Sequence, residues 1–104
     1  MNKKEKTNLM NIMASNLPIL RSKLNISQEN LAQLLGVTRQ TISSIESGQR
    51  KMKWSMFLAL VLIFFRNEPT KKLLVALDIY TTDLNDFLNI SKNKVAGGNE
   101  NGDY

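Results

Sequence analysis

Ten consecutive residues, Met56 to Phe65 (MFLALVLIFF), carry no polar side chain. This run constrains the fold more than any other feature of the chain. It is half of the about 20 residues that a transmembrane helix needs, so it predicts a buried helix in a soluble, cytoplasmic protein without a membrane partner. A helix that is apolar all round must be covered all round. A helix over about Trp54 to Arg66 therefore needs neighbours on more than one side, and three small helices before it can cover one face. Either the segment after Pro69 or a second copy of the chain must cover the other.

The punctuation around that run predicts an all-α chain of five to six helices. Residues 1–15, polar at the start, read as a flexible arm or a short helix around Met10, Ile12 and Met13. Asn16 is placed to cap a first helix with Pro18 in its opening turn, where a missing N–H costs little. Leu17, Leu20 and Leu24 form one face of that helix, and Asn25 ends it. Ser27 caps a second helix, Gln28 to Leu35, and Gly36 follows as a left-handed stop. Thr38 caps a third, Arg39 to about Glu46, closed by Ser47 and Gly48. Beyond the apolar helix, Pro69 marks a boundary and disfavours helix at Glu68. Leu73, Leu74 and Leu77 then predict a fifth helix, and Leu84, Phe87 and Leu88 a sixth, capped by Thr81 or Thr82. Residues 91–104 are polar and glycine-rich and read as a disordered tail. These signals divide the chain into an arm (1–15), a core domain (16–67), a helical extension suited to dimerisation (68–90) and the tail.

Composition narrows the function. The chain has no cysteine and no histidine, so thiolate catalysis, cysteine zinc sites and the usual general base are excluded. No cofactor, metal site or catalytic constellation is expected. Lys3, Lys4 and Lys6 lead into the mixed stretch TNLMNIMASN rather than a continuous apolar segment, so no signal peptide is expected. The formal net charge is +5, and it is unevenly spread: residues 1–66 hold ten Lys and Arg against three Asp and Glu, residues 67–104 four against six. A basic front half suits a polyanionic partner, nucleic acid before membrane; a lysine-rich solvated surface would give the same balance.

The segment SQENLAQLLGVTRQTISSIESGQR, residues 27–50, carries the functional signal. Ala32 is small where two helices must approach. Gly36 permits a sharp turn, Val37 plugs the gap, and Ile42 and Ile45 hold the next helix against its neighbour. This packing leaves Thr38, Arg39, Gln40, Ser43 and Ser44 on the outer face, hydrogen-bonding side chains with no carboxylate among them. A helix fits the major groove of a duplex, where Arg can pair bidentately with guanine and Gln with adenine.

The segment closely resembles the helix-turn-helix of the Cro and phage-repressor (Xre-like) regulators, over about residues 17–66 and most strongly over 27–50. The resemblance implies a phage-repressor-like DNA-binding domain, double-stranded DNA as partner, no enzymatic activity, and transcriptional regulation by promoter occupancy, repression before activation. It implies that Gln28 contacts a phosphate and buttresses the recognition helix and that Thr38 binds a phosphate at the groove edge. Arg39, Gln40 and Ser43 would face bases with Ser44 next in line, and Gln49, Arg50 and Lys51 would grip the backbone. Arg21 stands where that family places an arginine paired with the glutamate at Glu46. The sequence departs from the pattern at Leu34, often charged in the family, and at Ser47, often asparagine. A homodimer through the region after Arg66 is expected. Two other readings stay open: an antitoxin whose C-terminal segment holds a toxin, and an interaction adaptor that uses the same fold without DNA.

Overall fold

The computed structural model describes residues 1–91; apart from Ser91, the tail expected at 91–104 lies outside the described residues. Among these residues the chain is all-helical: α1 Lys3–Leu24, α2 Gln28–Leu35, α3 Arg39–Glu46, α4 Trp54–Arg66, α5 Glu68–Ala76 and α6 Thr82–Leu88. None of the described helices is long and apolar enough to cross a membrane.

The first helix corrects the sequence expectation. The arm at 1–15 and the helix start at Asn16 are replaced by one helix of 22 residues, begun by a capping box between Asn2 and Glu5. Asn16 caps nothing; its side-chain amide donates to the carbonyl of Ile12 at 2.8 Å. Pro18 lies in the helix interior, where proline costs roughly 3 kcal/mol. The stripe Leu9, Met13, Leu17 and Leu20 explains why the helix runs through it. These side chains recur at helical spacing and are all buried. At about 1.5–3 kcal/mol each, their burial outweighs the proline. The helix ends at Asn25, whose φ of 55° is left-handed, a conformation asparagine tolerates better than most residues.

The remaining elements follow their caps. Ser27 and Asn30 form a capping box at α2, Thr38 caps α3, and Thr81 rather than Thr82 caps α6. Glu68 is helical after all, as the first residue of α5 with Pro69 beside it in the first turn. There the missing N–H has no intrahelical partner to lose.

Most of α4 is covered within the chain, while Leu62 stays exposed. Phe57, Leu60, Val61 and Phe64 are buried against α1, α2 and α5. Leu74 of α5, Ile79 of the following turn and Leu84 of α6 are fully buried in the same cluster. The division at 67/68 therefore does not separate two cores, and the one at 15/16 falls inside α1. At one end of the molecule Trp54 stacks on Phe57 with ring centroids 4.8 Å apart and meets the edge of Phe87 at 6.3 Å. The Lys6 ammonium lies 5.2 Å from the Trp54 ring and 5.1 Å from that of Phe87, tying α1, α4 and α6 together.

Candidate nucleic-acid interface

Two short helices joined by a tight turn form the site. The last turn of α2 closes on Gly36 with φ 73°, and the amide of Val37 returns to the carbonyl of Ala32 at 3.0 Å. Thr38 then starts α3 in a new direction, its hydroxyl accepting from the amide of Thr41. Leu31 and Ala32 of α2 and Ile42 and Ile45 of α3 are buried together, so α3 is held by its apolar back.

The front of α3 is open. Thr38, Arg39 and Gln40 are exposed, while Ser43 and Ser44 are half-buried. Among the described residues, the side chains of Arg39, Gln40 and Ser43 have no partner within the chain. Arg39 and Gln40 lie in the first turn, the end that carries positive dipole charge, and Ser43 follows one turn later.

Behind this face sits a small polar cluster. Glu46, the last residue of α3, accepts from Arg21 Nε at 2.7 Å and Nη2 at 3.0 Å and from the Gln28 amide at 3.0 Å. The only carboxylate of α3 is thus neutralised and turned toward α1 and α2. Gln28 spends one amide proton on Glu46; its other amide proton and the free N–H groups at the start of α2 remain as donors near the exposed edge.

The chain folds back over the far end of α3. The amides of Gln49 and Arg50 both donate to the carbonyl of Ser44, at 2.9 and 3.1 Å, and Gly48 adopts φ 84° to allow it. This places Gln49, Arg50 and Lys51, all exposed, beside the helix rather than on a free loop. One residue escaped the sequence reading. Thr41 has its hydroxyl 3.1 Å from that of Thr38 and accepts from Arg50 Nη1 at 3.3 Å. It joins the start of α3 to the basic turn after it. The signal was present in the spacing: residues three apart share a helix edge, and Thr41 follows the cap by three.

The arrangement is a polar, carboxylate-free helix face flanked by two further sets of donors. It suits an extended polyanion that carries readable hydrogen-bonding groups. Residues 19–53 match the family model described as Helix-turn-helix, which spans the end of α1, α2, α3 and the turn before α4. Neither the curated proteins nor the solved structures give a match.

Proposed function

We propose that the protein is an Xre-like, sequence-specific transcriptional repressor that occupies its operator as a homodimer; the match of residues 19–53 to the helix-turn-helix family model supports this. The observation that carries this reading is the front of α3: without a carboxylate, and with Arg39 and Gln40 exposed and, among the described residues, unengaged. A side chain already committed to an internal partner could not be spared for a base edge.

In this reading α3 enters the major groove. Arg39 and Gln40 read bases, with Ser43 and Ser44 making shorter-range contacts as the helix settles. Gln28, Thr38, Gln49, Arg50 and Lys51 hold phosphates on either side, which positions the protein without carrying sequence information. Residues from α1 through α4 form the reading unit, while α5 and α6 complete its core and offer a surface for the partner copy. One recognition helix reads only a few base pairs, and two related by a two-fold axis read half-sites about 34 Å apart. The region beyond Arg66, with Val75, Leu88 and Ile90 exposed, supports pairing there.

Selection of bound duplexes from a random pool tests the proposal. A symmetric pair of half-sites about one helical turn apart is the expected result. A pool that stays random after repeated rounds overturns sequence-specific binding.

A further inference from the structure

The N-terminal half of α1 lies outside the matched segment, yet it borders the basic turn after α3. One open cleft is lined by Lys3, Lys4, Glu5, Thr7, Asn8 and Asn11. A second runs between α1 and that turn, with Asn11 and Ser15 on one side and Gly48, Arg50 and Lys51 on the other. Asn11 lines both, so the two clefts meet at that residue.

A solvated polar face is the ordinary fate of a helix surface turned away from the core. The row Lys3, Thr7 and Asn11 differs in two ways. At four-residue spacing it follows one flank of α1, and its Asn11 end borders Arg50 and Lys51. Its side chains are exposed and, among the described residues, have no partner within the chain. An ammonium, a hydroxyl and an amide can each donate to a phosphate oxygen. Two carboxylates line these clefts: Glu46, already paired with Arg21, and the exposed Glu5. Glu5 accepts from the amide of Asn2 at 2.8 Å. It also lines a neighbouring cleft with Met1, Asp83, Asp86 and Phe87, an acidic edge that bounds the strip at its Lys3 end. Lys6 is drawn inward over Trp54 and Phe87.

We infer that the Lys3, Thr7 and Asn11 row, with Lys4 beside it, is a second strip of phosphate contact that carries the DNA interface past the helix-turn-helix. The inference rests on the DNA-binding reading above and extends it. Eight residues of helix cover about 12 Å, and a strand passes a phosphate about every 3.4 Å of duplex axis. The strip therefore reaches about three phosphates beyond those held by Arg50 and Lys51. The contacts are to backbone, so they lengthen the footprint and raise affinity for all sequences alike.

The test measures affinity of the full chain across a salt series, on a selected duplex and on a random one, with hydroxyl-radical footprints alongside. Lys3→Ala combined with Lys4→Ala should lower the slope of log affinity against log salt by up to about 1.8, at about 0.9 for each phosphate no longer neutralised. The loss should be equal on both duplexes, and protection should shorten at its outer edges. Asn11→Asp should weaken both by adding negative charge to the strip. Lys72→Ala, on the exposed surface of α5, removes the same kind of charge elsewhere and should leave the slope unchanged. A slope and footprint unmoved by the Lys3 and Lys4 substitutions, in a chain that still binds DNA, overturn the strip and leave the parent reading standing. An equal loss from Lys72→Ala reduces the effect to net charge and also overturns the strip. A wild-type chain that binds neither duplex fails the parent reading instead.

Discussion

Arg21, near the end of α1, grips both carboxylate oxygens of Glu46, the last residue of α3, with Nε at 2.7 Å and Nη2 at 3.0 Å. Its remaining nitrogen, Nη1, donates to the carbonyl of Ile26 in the α1–α2 connection at 3.2 Å. One guanidinium thus fixes three segments around the back of the recognition helix. The two side chains are only 17% and 8% exposed, so each would be costly to leave unpaired. Glu46→Ala should therefore destabilise the fold by about 2–4 kcal/mol. For a domain of this size that is a fall in melting temperature of more than about 10 °C. The double substitution with Arg21→Ala should cost less than the two single costs added together, because it leaves no orphaned charge. Thermal denaturation of the three variants checks both statements; additive losses would mean that the pair is not coupled.

Thr70 makes a second buried polar tie. It is fully buried, and its hydroxyl donates to the carbonyl of Phe64 at 2.6 Å, with the carbonyl of Asn67 at 3.1 Å. A regular helix would pair the Phe64 carbonyl with an amide four residues on, but α4 ends at Arg66 and the chain turns into α5. Thr70→Val keeps the shape and removes the donor, so it should cost about 1–3 kcal/mol. Thr70→Ser keeps the hydroxyl and should recover most of that loss. Urea denaturation of the two variants separates hydrogen bonding from packing.

The turn of the helix-turn-helix makes a similarly separable prediction. Gly36 sits at φ 73°, and a Cβ built on it would meet nothing within 4 Å. The demand for glycine is therefore one of backbone conformation and not of space. Gly36→Ala should cost about 1–2 kcal/mol, the penalty of a left-handed L-residue. Gly36→Asn should cost less, because asparagine visits that region more readily, as Asn25 does at the end of α1. Melting temperatures in the order Gly, Asn, Ala are the expected result.

These ties show which parts of the fold were legible in the sequence. Ser27, Gly36 and Thr38 act locally: each satisfies or releases the backbone within a turn of itself, so the ends of α2 and α3 could be read from them. Asn16 and Pro18 look like the same kind of signal. They misled because their effect is decided at a distance, by Leu9 and Met13 finding the core that Leu17 and Leu20 also enter. The covering of α4 was open for the same reason. Nothing near Met56 to Phe65 tells whether Leu74, Ile79 and Leu84 or a second chain will fill the space beside it. In the candidate interface, residue types on the face of α3 were visible from spacing alone. The link from Thr38 through Thr41 to Arg50 was not, because it depends on how Gly48 turns the chain back.

Base reading and backbone gripping should separate on mutation. Arg39 is exposed on the front of α3, whereas Lys51 lies in the turn beyond its far end. Arg39→Ala should lose about 1–3 kcal/mol of preference for the selected site over random DNA. Lys51→Ala should weaken both duplexes equally and lower the salt slope by about 0.9. Gel shifts on the two duplexes check this, and an equal loss on both for Arg39→Ala would remove that residue from the base-reading set.

The dimer needs a test that spares the fold. Truncation after Asn67 would remove Thr70, Leu74, Ile79 and Leu84, all fully buried, and so would open the core of the monomer itself. The exposed apolar side chains offer a cleaner route. Leu62 of α4 is 68% exposed and Val75 of α5 54%, too open to owe their chemistry to the monomer core. Isolated exposed leucines are common on any surface, but these two lie on α4 and α5, which pack against each other. Leu62→Glu and Val75→Glu place a charge where a partner would have to bury it and take little from the monomer. Sedimentation velocity should show the wild-type chain as a dimer and either variant as a monomer of unchanged melting temperature. A dimer that survives both substitutions would confine the interface to the Leu88 and Ile90 end of the region beyond Arg66, or move it out of that region to the exposed Leu34 of α2.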